Sequence, residues 1–311
     1  MVLFLLGGGL TSRFRILPPK PQSVVGGKDD TLKAPKAGDL ILCNLQSPLD
    51  VLAIRCALPT VFSGASEWSG ALERGAVFAF YDPLGGARGA PIADFCPSPF
   101  QLWKAARYIR HLAKPDVILR MEHSVPSSTL SEVPPLPVDA LQRRAVKLGI
   151  PVILFAEGTT SNGKAIMPFP RLQISTRRPA TAKAAPQQIF LSAVHYPHAP
   201  AAACVLDQSS TPLPFLANVC ARTELGSQAT WTIARPSAAV DMALYVNPTG
   251  GSDASTTADT DYITTASWLL DCRSKMCALV QYRNPGVVCK PVTAGLQEKV
   301  GFVKQFLETM K

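Results

Sequence analysis

Short apolar runs alternate along this chain with helical segments, and this alternation limits the folds that the chain can adopt. Residues 39–44 and 150–156 are apolar runs of strand length, and each is followed by a turn sequence. Residues 97–113 carry apolar side chains at helical spacing, and residues 139–149 begin with an aspartate and end with a glycine, as capped helices do. Strands that alternate with helices predict an α/β fold.

Shorter sequence patterns indicate the remaining strands and helices. They predict strands at 60–65, 76–81, 116–121, 187–196 and 229–236, and helices after Pro48, at 262–282 and at 295–311. Between these elements lie loops, of which 123–138 is rich in Ser and Pro and 247–261 is a low-complexity segment. No internal repeat is visible, so a solenoid is not expected.

Length and composition favour one globular core. The chain has 311 residues, of which 47% are hydrophobic, and this excludes a wholly disordered or fibrous protein. We expect residues 1–38 to be a short apolar N-terminus followed by a Pro/Gly/Lys-rich arm, and residues 39–311 to be one domain. Within that domain we expect a core at 39–200 and an irregular extension at 201–311.

The N-terminus and the cysteines indicate in which cellular compartment the protein is expected. The first ten residues, MVLFLLGGGL, are apolar but shorter than the roughly 20 residues that span a bilayer. The end of a membrane helix, a shallow anchor and a first buried strand all fit them. The chain has eight cysteines without a Cys-x-x-Cys pair, so we expect no structural metal site. We interpret the thiols as reduced core residues of a cytosol-facing protein.

The charge balance favours an anionic partner. Lysine and arginine total 31 against 22 aspartates and glutamates, a formal net charge of +9. Nucleic acid, an acidic membrane surface and phosphate-bearing substrates all fit such a charge. Basic residues cluster at 143–147 and 177–178, without an aromatic platform, a zinc pattern or a glycine-rich RNA signature. We therefore expect no nucleic acid partner, and a basic surface that faces solvent or anionic lipid.

The most informative segment follows the apolar run at 150–156. It reads EGTTSNGK at 157–164, so that a buried strand delivers a carboxylate to the sheet edge where α/β proteins place their ligand sites. Gly158 and Gly163 permit tight turning, and the hydroxyls between them can hold an anion. An ordinary strand-to-loop turn is the alternative interpretation of the same residues.

The segment LFAEGTTSNGKAIMPF resembles the F-P-E-G-T-(R/T)-S-N-G block of the PlsC-type glycerolipid acyltransferases, the superfamily of lysophosphatidic acid and lysophospholipid acyltransferases. The resemblance implies their α/β fold, a mixed, mostly parallel sheet flanked by helices, here with a loop-rich C-terminal extension. It also implies that the acceptor is bound by Glu157, Gly158, Thr159, Thr160 and Ser161. Many members have an arginine at the position of Thr160, so a bound phosphate here requires the charge of Lys164 or Arg171.

A second block of that family, N-H-x-S-x-x-D, resembles residues 44–50. Asn44, Ser47 and Asp50 match it in register, after a strand and before a predicted helix, but the position of the histidine is Leu45. In the family the histidine is the general base that takes the proton of the acceptor hydroxyl, and the aspartate orients it. The resemblance, which covers roughly residues 38–200, thus makes Asp50 the remnant of the catalytic pair.

Four histidines elsewhere are candidates for a relocated base: His111, His123, His195 and His198. His111 and Asp116 match H-x4-D by spacing alone, within a predicted helix and without the Asn and Ser, so we treat that match as a coincidence. The other three follow predicted strands and could reach the same sheet edge. We interpret each of them first as a loop or packing histidine.

The resemblance predicts acyl-CoA-dependent acylation of a lysophospholipid, above all lysophosphatidic acid, at a membrane surface on the cytosolic face of the endoplasmic reticulum or of a lipid droplet. Acyl-CoA is then the cosubstrate, with no bound cofactor and no metal. The alternative is a catalytically inactive acyltransferase-like protein that binds lipid or serves membrane trafficking or scaffolding, and Leu45 favours it. A serine hydrolase is disfavoured because the chain has no Gly-x-Ser-x-Gly elbow. The oligomeric state stays open.

Overall fold

A computed structural model describes most of the strands and helices that the sequence predicts. It describes residues 35–55, 71, 74–85, 91–123, 134–161, 163–175, 188–196, 230–233, 246–248 and 261–309. The apolar N-terminus, the predicted strand at 60–65 and His198 lie outside these ranges.

The described residues form twelve strands, six helices and one 3₁₀ turn. The strands are β1 (Leu40–Cys43), β2 (Val77–Tyr81), β3 (Ile92–Phe95), β4 (Leu136–Pro137), β5 (Val152–Phe155), β6 (Ala165–Ile166), β7 (Leu172–Ser175), β8 (Ile189–His195), β9 (Thr230–Ile233), β10 (Val246–Pro248), β11 (Asp261–Thr264) and β12 (Lys290–Pro291). The helices are α1 (50–55), α2 (Pro99–Leu112), α3 (Pro115–Arg120), α4 (Asp139–Leu148), α5 (Ala266–Arg283) and α6 (Leu296–Thr309), with a 3₁₀ turn at Met121–His123.

The main sheet is mixed and mostly parallel. Within the described residues it has six strands in the order β3-β2-β5-β1-β8-β9. The four inner strands are parallel, and the two outer strands run antiparallel to their neighbours. The predicted α/β class, with a mostly parallel sheet flanked by helices, is therefore confirmed.

Helices cover both faces of this sheet, which explains why its inner strands are apolar without alternation. On one face, Ile41 and Cys43 of β1 pack in a core with residues of α1 and α2. On the other face, Leu40 and Leu42 pack in a second core with residues of α4 and α5. A third, smaller cluster joins the end of α2 to α3 and α6.

Two of the predicted helices begin and end as their sequences indicate. Helix α2 starts after Ser98, whose hydroxyl accepts the backbone N–H of Gln101 at 3.4 Å, and has Pro99 in its first turn. Helix α4 ends at Gly149, which adopts the left-handed conformation with φ of 68°. Both helices are confirmed.

The predicted strand at 116–121 is wrong, because residues Pro115–Arg120 form α3. Pro115 and Asp116 stand in the first turn, where proline and an acidic side chain favour a helix. Val117, Ile118 and Met121 then all face the third cluster, at helical rather than alternating spacing. A short apolar run cannot separate these two possibilities by itself.

The C-terminal part contributes to the core rather than lying outside it. The helix predicted at 262–282 begins at Ala266, after Thr265 caps it by accepting the N–H of Trp268, while 261–264 form β11. Strand β11 lies in a second sheet of order β10-β11-β7-β4, and β12 pairs with β6. Among the residues that are described, no helix combines the length and the apolar character needed to cross a bilayer.

Candidate active site

The two segments that resemble the acyltransferase blocks meet at one edge of the main sheet. Strands β1 and β5 are parallel neighbours, with Cys43 opposite Phe155, so the residues that follow them emerge side by side. The backbone N–H of Ser161 donates to the carbonyl oxygen of Leu45 at 2.8 Å and joins the two segments directly. This is the carboxyl-terminal edge of the parallel strands, where α/β sheets place their ligand sites.

Side-chain amides fix the first segment to the neighbouring strand β8. Asn44 donates from Nδ2 to the carbonyl oxygen of Val194 at 3.0 Å, and its Oδ1 accepts the Val194 N–H at 2.7 Å. Gln46 donates from Nε2 to the same carbonyl oxygen at 2.8 Å. No sequence pattern identifies Gln46, because its position in the family block is unspecified.

Asp50 closes the turn before helix α1. Its Oδ2 accepts the backbone N–H groups of Gln46 at 2.7 Å and Ser47 at 3.1 Å. The Ser47 hydroxyl accepts the N–H of Leu49 at 3.2 Å and supports the same turn. The Asp50 side chain is fully buried, and its second oxygen, Oδ1, has no hydrogen-bond partner among the described residues.

Burial raises the pKa of Asp50 to about 7. The backbone N–H of Gln46, the Tyr196 hydroxyl and the backbone N–H of Ser47 act in the opposite direction. Tyr196 follows β8 at the same sheet edge, and its hydroxyl is near Asp50 without meeting it in a hydrogen bond of ordinary geometry. A carboxylate with such a pKa can exchange a proton near neutral pH.

The Leu45 side chain belongs to the core. It is fully buried and packs in the same core as Tyr196. His111 is exposed on α2, and His195 ends β8 on the face opposite Tyr196, because side chains alternate along a strand. Neither histidine side chain forms a hydrogen bond to Asp50. The His123 side chain, like His198, is outside the described part of the chain.

Glu157 follows β5 and is almost completely buried, at 1% exposure. Burial raises its pKa well above the usual range, and the nearby charge of Asp50 also raises it. The backbone N–H of Leu45 and the charge of Lys299 lower it. Neither carboxyl oxygen has a hydrogen-bond partner of ordinary geometry in the described ranges. A protonated Glu157 is therefore a hydrogen-bond donor available to a ligand.

Two glycines let the Glu157 turn pack closely against its neighbours. Gly158 has a φ of +69°, and a Cβ there would come within 2.9 Å of the Tyr81 ring at the end of β2. Gly163 has a φ of +74°, and a Cβ there would come within 2.9 Å of the Gln46 side chain. Both positions require glycine for conformation and for space.

A lysine from the C-terminal helix contacts this turn. Lys299 of α6 donates from Nζ to the Thr159 hydroxyl at 2.6 Å and also to the carbonyl oxygen of Thr160. The buried hydroxyls of Thr160 and Ser161 have no partner among the residues described. The site thus combines a cation with buried hydroxyls that have no described partner.

The family resemblance predicts that Lys164 or Arg171 supplies this charge. The Lys164 side chain is exposed and that of Arg171 half-buried, whereas Lys299 contacts the turn directly. No local pattern identifies Lys299, which is one of several polar residues on an amphipathic helix.

A second unexpected cation stands near Glu157. Arg273 of α5 is 8% exposed, and it donates from Nη1 to the carbonyl oxygen of Val292 at 2.7 Å. Burial lowers its pKa, and the charges of Cys277 and Glu157 oppose that shift. Both cations come from the C-terminal part of the chain, so the site draws on residues well beyond the two blocks.

Comparison of the chain with protein-family models, with curated proteins and with solved structures gave no match. Within the described ranges, no group of three or more His, Cys, Asp or Glu is placed to hold a metal ion. The chemistry that the residues themselves allow is proton exchange at Asp50 and anion binding beside Glu157.

Proposed function

We propose that the chain is a PlsC-like acyltransferase, which transfers an acyl group from acyl-CoA to the free hydroxyl of a lysophospholipid. The support is the meeting of the 44–50 and 157–161 segments at one sheet edge, joined by the Ser161–Leu45 hydrogen bond. These are the segments that resemble the two diagnostic blocks of that superfamily. Lysophosphatidic acid is the proposed acceptor.

The observation that carries the proposal is the state of Asp50. Burial raises its pKa to about 7, and Oδ1 has no partner in the described part of the chain, while Oδ2 is held by two backbone N–H groups. The carboxylate is therefore fixed in place, and its second oxygen, which is buried near the Tyr196 hydroxyl, can take a proton. Asp50 replaces the missing histidine as the general base.

In the proposed step Asp50 takes the proton of the acceptor hydroxyl as its oxygen attacks the thioester carbon. The new carbon–oxygen bond is the ester of the product, and the carbon–sulfur bond of acyl-CoA breaks. The proton passes to the departing thiolate, so that free coenzyme A leaves and Asp50 is again a carboxylate. No redox change occurs, and no metal or bound cofactor takes part.

The Glu157 turn binds the acceptor in this proposal. Lys299 already contacts the Thr159 hydroxyl, and a phosphate oxygen carries the charge that a lysine ammonium attracts. The buried hydroxyls of Thr160 and Ser161, which have no described partner, and the protonated Glu157 supply hydrogen-bond donors to the same anion. The formal net charge of +9 fits a protein that works against anionic headgroups on the cytosolic face of the endoplasmic reticulum or a lipid droplet.

A second candidate is an inactive acyltransferase-like protein that binds lipid, as in membrane trafficking or scaffolding. The burial of Leu45 favours it, because no histidine side chain among those described replaces the family base. The acceptor-binding turn would be retained, so this candidate predicts lipid binding without turnover.

A direct assay separates the two candidates. Purified protein is incubated with radiolabelled acyl-CoA and with vesicles that carry lysophosphatidic acid, lysophosphatidylcholine or lysophosphatidylethanolamine. We expect labelled phosphatidic acid, and a rate roughly 100- to 10,000-fold lower in Asp50→Asn, which keeps the shape of the side chain but not the base. If the Leu45→His variant forms product and the unmodified protein forms none, the inactive candidate is established. An activity that Glu157→Ala leaves untouched would contradict the proposed acceptor site.

A further inference from the structure

Two cysteines lie in contact beside the site, where helix α5 meets the loop before β12. The Sγ atoms of Cys277 and Cys289 are 3.2 Å apart, and both residues are buried, at 3% and 2% exposure. Cys277 stands on α5, and Cys289 immediately precedes β12. The two thiols are in direct contact, and the proposed acyl transfer does not use them.

We propose that Cys277 and Cys289 form a reversible intramolecular disulfide when the protein meets a peroxide. A sulfur–sulfur bond needs a separation of about 2.0 Å, so the two atoms must approach by roughly one ångström. In a cytosol-facing protein, as the sequence predicts, disulfides are usually transient and redox-sensing.

We assign the first reaction to Cys289, because the neighbouring Val288 is 61% exposed, whereas Cys277 lies within helix α5. Contact with the Cys277 thiol lowers the pKa of Cys289, while the same contact, followed by burial, raises that of Cys277. The Cys289 thiolate attacks one peroxide oxygen and becomes a sulfenic acid, and the other oxygen leaves as water. Cys277 then attacks the sulfenic sulfur, its proton joins the departing hydroxyl as a second water, and the disulfide forms. Two thiols lose two electrons, and one hydrogen peroxide becomes two waters.

The segment that carries Cys289 gives a small oxidant a route to the sulfur. The neighbouring Val288 is 61% exposed, and Val287, which packs against the second core, donates its N–H to the Asn284 carbonyl oxygen at 3.0 Å. Gln281 anchors the segment by donating to the Cys289 carbonyl oxygen at 2.8 Å. A local opening of this short surface segment exposes Cys289 without unfolding the sheet.

The bond would tie α5 to the strand that lies next to the site. Strand β12 pairs with β6, which follows the Glu157 turn, and Arg273 of α5 already spans the same gap to Val292. Cross-linking residues 277 and 289 removes freedom from the unfolded chain, so the oxidised protein should melt at a higher temperature.

Peptide mapping without reduction tests the proposal on the full chain. The protein is treated with hydrogen peroxide, blocked with an alkylating reagent and digested. We expect a 277–289 linked peptide that is lighter than its two reduced halves by two hydrogens and that a dithiol separates again. A rise in melting temperature should accompany it.

Cys272 provides a matched control, since it lies on the same helix and is equally buried, and burial raises its pKa to about 12. Cys272→Ser should keep the linked peptide, and Cys289→Ser should lose both the peptide and the rise in melting temperature. Sulfinic acid on Cys289 without a link, a link to any other cysteine, or no reaction of this pair would overturn the proposal. The map of the unmodified protein decides the question even if a variant fails to fold.

Discussion

The segments 44–50 and 157–161 leave adjacent parallel strands at the same edge, yet they use their polar side chains in opposite ways. Asn44 and Gln46 bond to the backbone of Val194. In contrast, Glu157 and the hydroxyls of Thr160 and Ser161 are buried without partners among the described residues. Buried polar groups are usually satisfied, so an unsatisfied group requires an explanation, and a ligand is a direct one.

Two oxygens of the 44–50 segment depart from this contrast, because Gln46 Oε1 and Asp50 Oδ1 have no described partner. Asp50 Oδ1 carries the proposed chemistry, while Asp50 Oδ2 holds the turn. The first segment therefore fixes one proton acceptor in place, and the second presents donors and a cation to an anion. In the proposed function, the 44–50 segment therefore serves proton transfer, and the 157–161 segment binds the anionic acceptor.

Replacing Asp50 with Asn should have the largest effect on stability, and the effect should depend on pH. The folded-state pKa of Asp50 is raised to about 7 from 3.8, so the folded protein binds this proton more tightly than the unfolded chain. Its contribution to stability therefore falls as the pH rises from about 4 to 7. The asparagine of the variant has no proton to lose, so its stability does not fall in this way. The free energy of unfolding of the variant, relative to that of the unmodified protein, should therefore rise by on the order of 4 kcal/mol between pH 4 and pH 8.

Urea unfolding at the two pH values measures this difference. Asp116→Asn, at an aspartate whose side chain is 67% exposed on α3, is the matched control and should change the pH dependence little. Equal pH dependence in the unmodified protein and in Asp50→Asn would contradict the raised pKa.

Replacing Asn44 with Ala should destabilise the protein at every pH. The Val194 N–H and carbonyl oxygen would lose bonds of 2.7 and 3.0 Å inside the core, which costs about 1–3 kcal/mol. Ser161→Ala is the counterpart in the open segment, and it should stay within about 0.5 kcal/mol because its hydroxyl has no described partner. Chemical denaturation of both variants checks the contrast, and equal losses would break it.

Replacing Lys299 with Met should weaken binding of anionic lipid more than it changes the fold. We expect a loss of roughly fivefold, about 1 kcal/mol, in affinity for vesicles with lysophosphatidic acid, and less for vesicles with lysophosphatidylcholine. Lys304→Met is the control, since Lys304 lies on the same helix but pairs with Glu122 at 2.6 Å. A Lys304 variant as weak as the Lys299 variant would mean a general effect of surface charge.

The sequence could predict the local parts of this site but not what surrounds them. The apolar runs before Asn44 and Glu157 and the turn glycines identify both segments, because these signals are local. The order of the strands, which places Tyr196 beside Asp50, is set by packing across the sheet. Lys299 approaches Thr159 from 140 residues away, so no spacing rule could have shown it. At 116–121 the apolar residues predicted a strand, although Pro115 at the preceding position favours the start of a helix.

The pH dependence of turnover tests the role of Asp50 most directly. The account predicts that kcat/KM for acylation of lysophosphatidic acid rises about tenfold per pH unit at low pH and levels off near pH 7, where Asp50 loses its proton. In Asp50→Asn the residual rate should no longer show this rise. A profile that is flat between about pH 5 and 9, or one that Asp50→Asn leaves unchanged, would contradict the assignment of Asp50 as the base. Lipid binding without turnover at any pH would instead establish the inactive, lipid-binding protein.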